Sequence, residues 1–252
     1  MDAQAYLRRI GYSGPTAPTL ETLRGLHLAH LLSVPFENLD IPLLRRPLAL
    51  APDALYEKVV TRRRGGLCYE LNGLFAELLS SLGFRIDLLA AEVFSSKGTW
   101  GPPFAHVALR VHLDEPWLAD VGFGRDSFRE PLRLESVEPQ DRHGVTYRLA
   151  RDGVQRILQM RSGDGNEWAN LYRFGPESRE MDDFEAMCLV HQTSPEAPFT
   201  SVPVVGLATV DGRITLVDRR LKIVVAGTSE ERDLPDDESR ARALREYFGI
   251  VT

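Results

Sequence analysis

The sequence contains no long apolar run. A membrane-spanning helix needs about 18 or more consecutive apolar residues, and no segment of the 252-residue chain approaches that length. The N-terminal residues 1–10 alternate polar and apolar side chains too often to form the apolar stretch of a secretion signal. We therefore expect a soluble, cytoplasmic protein that has no membrane partner.

Cysteine is nearly absent as well. The chain has 2 cysteines, Cys68 and Cys188, and they lie in segments of different character. Because nothing else indicates secretion, reduced thiols are expected instead of a disulfide framework, and a thiol is free to react. Four histidines show no metal-like clustering, so we interpret them as structural or surface residues and expect no metal cofactor. They are His27, His30, His112 and His143.

The chain also lacks an excess of positive charge, because 30 basic residues face 36 acidic ones and the formal net charge is -6. Attraction to phosphates is the main sequence-independent contribution to nucleic-acid binding, so a general nucleic-acid partner is disfavoured. With 43% hydrophobic residues, the chain can bury a core without disulfides or metals. A homo-oligomer is left open.

Hydrophobic periodicity divides the chain into a helical first third and a strand-rich remainder. Apolar residues from Leu71 to Leu82 recur at the three-and-four spacing of one buried helix face, and Gly83 ends that helix. The predicted helices are 2–10, 19–33, 52–60, 68–82, 182–190 and 236–248. The predicted strands are 86–94, 106–113, 117–121, 145–150, 154–160, 202–210, 214–217 and 221–225. This order favours an α+β architecture over a doubly wound parallel sheet.

One cysteine lies where a helix begins. Stepping back three residues from Leu71 reaches Cys68, which is therefore on the first turn and directed towards the interior. Unpaired amide groups and the positive end of the helix dipole favour an anion there, so the thiolate nucleophile is favoured. The arginines at 62–64 are expected to add positive potential, and the glycines at 65–66 permit a close turn. A buried structural cysteine is the alternative interpretation.

A histidine and an aspartate follow in neighbouring predicted strands. His106 projects from the face opposite Val107 and Leu109, and Asp120 ends the next strand. Adjacent strands can place the imidazole beside the carboxylate, and a reactive thiol needs such a base and such an orienting group. Taken singly, each residue has an ordinary structural interpretation, and the order cysteine, histidine, aspartate occurs in several unrelated thiol enzymes.

Four short motifs follow one another along the chain. They are Val34-Pro35-Phe36-Glu37-Asn38-Leu39, Arg63-Arg64-Gly65-Gly66-Leu67-Cys68, His106 with Asp120-Val121-Gly122-Phe123-Gly124, and His191-Gln192-Thr193-Ser194-Pro195 followed by Phe199. Together they resemble the arylamine N-acetyltransferase family, and the resemblance extends over residues 34–200.

The resemblance implies an architecture and an activity. The fold would be an N-terminal helical bundle at 1–84 carrying the nucleophile, a central antiparallel β-barrel at 85–190 carrying the histidine and aspartate, and a C-terminal α/β lid at 191–252. The activity would be transfer of an acetyl group from acetyl-coenzyme A (acetyl-CoA), a co-substrate, to an arylamine or arylhydrazine. Transfer would pass through an acetyl-cysteine intermediate.

The resemblance also implies roles for individual residues. Cys68 would be the nucleophile, His106 the base and Asp120 its orienting carboxylate, in agreement with the reasoning from the residues. Glu37 and Arg64 would pair and hold the loop before the cysteine. The acceptor pocket would have three aromatic walls, Phe36, Phe123 and Phe199. The expected coenzyme contacts are Trp100, Gly122, Phe123 and Gly124.

Three other functions are weighed against this one. An amide synthase that closes a polyketide-type acyl chain onto an arylamine would use the same three residues. A thiol hydrolase of the transglutaminase or papain type shares their order. A non-catalytic binding module could retain the fold, although the intact set Cys68, His106 and Asp120 argues against it.

Overall fold

The computed structural model describes residues 1–124, 127–162 and 167–251. Its α-helices are α1 (Ala3–Arg9), α2 (Leu20–Ser33), α3 (Pro52–Tyr56), α4 (Cys68–Ser81), α5 (Glu185–Thr193) and α6 (Asp237–Phe248). A π-helical turn, Glu57–Thr61, continues α3, and a 3-10 turn, Met181–Phe184, precedes α5. Among the described residues, no helix combines the length and apolar character needed to span a bilayer.

Two antiparallel sheets contain the strands. The larger sheet has 8 strands in the order β5-β4-β3-β2-β9-β8-β7-β6, and the smaller has 5 in the order β1-β10-β11-β12-β13. The strands are β1 (Phe36–Glu37), β2 (Arg85–Val93), β3 (His106–His112), β4 (Pro116–Ala119), β5 (Leu132–Arg133), β6 (Gln140–Arg142), β7 (Val145–Asp152), β8 (Gln155–Ser162), β9 (Ala169–Arg179), β10 (Val204–Thr209), β11 (Gly212–Val217), β12 (Arg220–Val225) and β13 (Thr228–Asp233).

The larger sheet curls into a nearly closed barrel, and a side chain joins its two end strands. The amide oxygen of Gln140 on β6 accepts from the backbone N–H of Arg133 on β5 at 2.8 Å, and its NH₂ group donates to the Arg133 carbonyl at 3.1 Å. The side-chain amide thus makes both hydrogen bonds that a paired backbone residue would make. This contact satisfies an otherwise open strand edge.

The N-terminal helices pack against one side of the barrel. Their core includes Tyr6, Leu23, Leu71 and Phe75, and it continues onto Val111 of β3. The barrel interior forms a second core around Tyr172. Helix α4 contacts both β2 and β3, so it forms the seam between the helices and the barrel.

The smaller sheet carries helix α6 and also includes residues from the N-terminal third. In β1, Phe36 pairs with Gly206 of β10, so the segment before helix α3 is an edge strand of the C-terminal sheet. The predicted division at 84 and 190 stays a prediction, and helix α5 crosses the second boundary.

The sequence-based elements agree with the structure except where hydrophobic alternation is weak. The predictions omitted β9, whose second half contains Gly175 and Pro176, and β13, which is exposed along its whole length. Backbone hydrogen bonds pair β13 with β12, and such pairing requires no apolar pattern in the sequence of β13. The short strands β1, β5 and β6 were also absent from the prediction.

Two fully buried histidines lie one turn apart on helix α2. His27 and His30 both contact the edge of Phe75, and both are excluded from solvent. Burial lowers the pKa of His27 from 6.5 to about 4, and burial lowers the pKa of His30 well below its usual value. Both rings are therefore neutral in the folded protein near neutral pH.

We predict that acid destabilises the fold through these rings. Their pKa values are lower in the folded protein than in the unfolded chain. The neutral rings therefore contribute fully to the free energy of unfolding above about pH 6.5, and this contribution is lost as the pH falls towards 4. For His27 alone the loss is about 3 kcal/mol. Urea unfolding between these pH values should show a shallower pH dependence for His27→Gln than for the wild type. Equal pH dependence in both proteins would contradict the assignment.

Candidate active site

Cys68 is the first residue of helix α4 and is 5% exposed. The glycine turn before it packs against β1 and the preceding segment. A Cβ added to Gly65 would lie 1.8 Å from the carbonyl oxygen of Pro35, so no other residue fits there without displacement of the backbone. The Gly66 carbonyl accepts from the N–H of Glu37 at 3.0 Å. The start of the helix is thereby held against the Pro35–Glu37 segment.

The histidine and the aspartate lie at adjacent ends of two antiparallel strands. His106 begins β3 and Asp120 directly follows β4, and because these strands are antiparallel the two residues are neighbours. The distance from Nε2 of His106 to Oδ2 of Asp120 is 2.7 Å, and both side chains are buried. The structure thus brings together the imidazole and carboxylate that the sequence indicates.

Each oxygen of the Asp120 carboxylate has a partner. The Asn72 side chain donates to Oδ1 at 2.8 Å, and the backbone N–H of Gly122 donates to the same atom at 2.9 Å. Burial alone would raise the pKa of Asp120, but His106 and these two hydrogen bonds outweigh burial and lower it. The carboxylate is therefore ionised and fixed in one orientation.

His106 lies between the carboxylate and the thiol. Burial alone would lower the pKa of His106, but Asp120, through its charge and its hydrogen bond, and then Cys68 raise it above its usual value. Phe123 packs edge-to-face with the ring at a centroid separation of 5.1 Å, and Tyr172 packs against it at 5.0 Å with the planes inclined by 45°. Since Nε2 bonds to Asp120, Nδ1 is the ring nitrogen left to exchange a proton with the thiol, and such an arrangement suits a thiolate–imidazolium pair.

A buried network of charges supports the turn before Cys68. The Arg64 guanidinium lies 2.7 Å from Oε1 of Glu37 and 3.2 Å from Oδ1 of Asp40. Lys58 contacts Asp40 and Glu70, each at 2.7 Å, and Glu70 accepts from the N–H of Leu67 at 2.9 Å. This network connects the Glu37 segment to the start of helix α4.

The network corrects one sequence-based expectation. Arg64 does not supply free positive potential to the thiol, because two carboxylates neutralise it. Arg62 pairs at the surface with Glu57 at 3.3 Å. The sequence analysis did not identify Lys58 and Glu70, although a glutamate at the third position of a helix is a capping signal that could have found the second.

Removing Arg64 is predicted to destabilise the protein strongly. Arg64→Met would leave Glu37 and Asp40 as buried carboxylates short of a partner, at a cost of about 3–5 kcal/mol in the free energy of unfolding. The matched control is Arg62→Met, which removes an exposed pair and should change stability by about 1 kcal/mol or less. Urea unfolding of both variants measures the difference. Similar small effects in the two variants would show that the network does not hold the turn.

A cavity of about 920 Å³ opens above the thiol. Cys68 and His106 line it, and so do all three predicted aromatic walls, Phe36, Phe123 and Phe199. Gly122 and Gly124 line it as well. This volume suits a large organic ligand.

Trp100 was also predicted to contact the coenzyme, but it is absent from the described residues that line this cavity. Its ring packs instead against Phe94 at 4.8 Å and under the guanidinium of Arg173 at 4.7 Å. Basic residues that the sequence analysis did not identify line another part of the cavity: Arg129, Arg142, His143 and Arg213. They are scattered along the chain, so no motif could have indicated them.

Comparison with known proteins shows the family of this chain. The family model described as N-acetyltransferase matches residues 19–252. The arylamine N-acetyltransferase of Mycolicibacterium smegmatis is 38% identical over 258 residues, which cover 99% of this chain and 92% of that protein. The chain belongs to the arylamine N-acetyltransferase family.

Solved structures show the same relationship to the arylamine N-acetyltransferases. The enzyme from M. tuberculosis superposes with a TM-score of 0.91 at 37% identity, covering 99% of this chain and 94% of that one. The Mycobacterium marinum arylamine N-acetyltransferase in complex with CoA superposes with a TM-score of 0.90 at 36% identity, covering 99% and 93%. The α+β fold with its antiparallel barrel is therefore the fold of this family.

Proposed function

We propose that this protein transfers an acetyl group from acetyl-CoA to an arylamine, an arylhydrazine or a related amine, with Cys68 as the nucleophile. The observation that carries the proposal is the buried set of Cys68, His106 and Asp120 at the base of a large apolar-walled cavity. The similarity to a family member that binds CoA supports the choice of donor.

The first half of the reaction loads the enzyme. The Cys68 thiolate attacks the thioester carbonyl of acetyl-CoA, and a sulfur–carbon bond forms. The oxyanion of the tetrahedral intermediate would be stabilised by backbone amides in the first turn of helix α4. As the intermediate collapses, the bond from the acetyl carbon to the coenzyme sulfur breaks, and Nδ1 of His106 gives its proton to the departing thiolate. Acetyl-cysteine and free CoA are the products.

The second half discharges the enzyme. The amine nitrogen attacks the acetyl-cysteine carbonyl, and Nδ1 of His106 accepts the proton that the nitrogen loses. The Cys68 thiolate leaves, so the amide product and the starting thiolate–imidazolium pair are formed together. Asp120 stays ionised throughout and holds the imidazole in the required tautomer.

An aromatic acceptor suits the cavity. Phe36 and Phe199 pack against each other with ring centroids 6.0 Å apart and planes inclined by 54°, and Phe123 packs edge-to-face with His106. An arylamine is weakly basic and therefore uncharged near neutral pH, so its entry into this aromatic-lined cavity has no charge-desolvation penalty.

The donor would extend from the thiol to the basic part of the cavity. Gly206 of β10 pairs with Phe36. Val210 is four positions further along the extended chain, which corresponds to about 13 Å. At that remote turn Arg129 donates to the carbonyls of Val210 and Gly212 at 2.6 Å and 2.8 Å. An extended pantetheine arm covers roughly 15 Å, the reach of four or five extended residues. The coenzyme phosphates would then meet the arginines, and the thioester would meet Cys68 beside Gly122 and Gly124.

Acetylation of the protein itself tests the nucleophile. After mixing with acetyl-CoA, the intact mass of the wild type should rise by one acetyl group and return when an arylamine is added. Cys68→Ala should gain nothing. The matched control is Cys188→Ala, because Cys188 is also buried and burial raises its pKa to about 12, which leaves it protonated. Acetylation of Cys68→Ala, or loss of acetylation in Cys188→Ala, would contradict the assignment.

The same mass measurement separates the rival functions. Acetyl-enzyme that discharges equally fast with and without an amine would indicate a thiol hydrolase. Preferential loading by a large polyketide-type acyl donor instead of acetyl-CoA would indicate an amide synthase.

Arg213→Ala is predicted to weaken the donor site selectively. Loss of one charge-assisted hydrogen bond to phosphate should raise KM for acetyl-CoA roughly tenfold. The KM for p-nitrophenyl acetate, an acetyl donor without phosphates, should not change. The control Arg219→Ala removes an exposed arginine at the opposite end of β11 and should alter neither value. An equal rise in KM for both donors with Arg213→Ala would rule out a role in phosphate binding.

A further inference from the structure

A buried imidazole from helix α2 contacts the backbone of the aspartate. Nε2 of His27 accepts from the backbone N–H of Asp120 at 3.2 Å, and Nδ1 of His27 lies 3.2 Å from the carbonyl oxygen of Arg129. A backbone N–H can only donate and a carbonyl can only accept. The His27 ring must therefore be neutral and carry its proton on Nδ1.

The surroundings of His27 keep the ring in this state. It stacks on Phe128 with centroids 5.5 Å apart and planes inclined by 10°, and it meets the edge of Phe75 at 6.2 Å. The charged or titratable groups that influence it are Asp120 and Glu130 from the barrel side and His30 on its own helix. Protonation would direct a second N–H towards the N–H of Asp120, which the contact cannot accommodate.

These two hydrogen bonds hold both ends of one segment. Asp120 and Arg129 begin and end residues 120–129, which include the cavity-lining Gly122 and Phe123. Asn72 and Gly122 fix the carboxylate of Asp120, whereas His27 fixes its backbone. The carboxylate can orient His106 only if the chain that carries it is itself held.

We propose that His27 is a positioning residue for the acetyl-transfer reaction, because it holds the Asp120 backbone so that the carboxylate orients His106 towards Cys68. The inference rests on the proposed function, since it assumes that these three residues act together.

The test compares His27 with the other buried histidine on the same helix. His30 has the same burial and also contacts Phe75, but it bonds to the Tyr6 hydroxyl at 2.9 Å instead of to Asp120. His27→Phe and His30→Phe therefore remove similar buried rings at similar structural cost. Only His27→Phe leaves the N–H of Asp120 without its acceptor.

The readout is the rate of Cys68 alkylation by iodoacetamide as a function of pH, with the site of modification identified by mass spectrometry. In His30→Phe the pH profile of the Cys68 alkylation rate should match that of the wild type. In His27→Phe the profile should shift to higher pH. The kcat for acetyl transfer should fall roughly tenfold in His27→Phe alone.

A conservative variant separates positioning from packing. In His27→Gln the side-chain oxygen can accept from Asp120 and the NH₂ group can donate to Arg129, so most of the activity and the alkylation profile should return. If His27→Phe does not fold, His27→Asn, which is too short to make both bonds, takes its place. A wild-type profile in His27→Phe, or in His27→Asn where His27→Phe does not fold, would overturn the inference. A wild-type protein that gains no acetyl group from acetyl-CoA would instead overturn the proposed function, and the inference with it.

Discussion

The hydrogen bond between Asp120 and His106 is the interaction on which the site depends. A carboxylate buried without partners would cost several kcal/mol, so its surroundings must supply donors to both oxygens. His106, Asn72 and the backbone of Gly122 do so from a strand, a helix and a loop. The helices and the barrel must therefore pack in one relative position for this charge to be satisfied, and that position also brings the thiol to the imidazole.

Helix α4 joins this pair to the second buried charge network. Glu70 accepts from the N–H before the helix and contacts Lys58, whereas Asn72, two residues further on, bonds to the aspartate. Cys68 lies at the end of the helix where both constraints act. The start of helix α4 is consequently held by the network that contains Arg64 and by the hydrogen bonds to Asp120. The helix cannot shift without breaking buried hydrogen bonds in one of these two groups.

Local signals predicted most of the fold and indicated the candidate site residues that the structure brings together. Capping residues and apolar periodicity indicated the helices, and alternation indicated β2, β3 and β4, which carry or support His106 and Asp120. The charged strand β13 and the contact of Gln140 that joins β5 to β6 gave no such signal, because backbone ladders and a single side-chain amide hold them. His27 was interpreted as an ordinary structural or surface histidine, since its two partners lie far away in the sequence.

The proposed reaction requires that a buried carboxylate keep His106 positively charged beside the thiol. Nitrogen-15 NMR of the histidine-labelled protein measures this charge directly, because the ring-nitrogen shifts distinguish imidazolium from neutral imidazole. We expect both nitrogens of His106 to remain protonated at about pH 8, above the range in which an ordinary histidine loses its proton. A His106 ring that is neutral at that pH, or that titrates near pH 6.5, would contradict this role of the carboxylate.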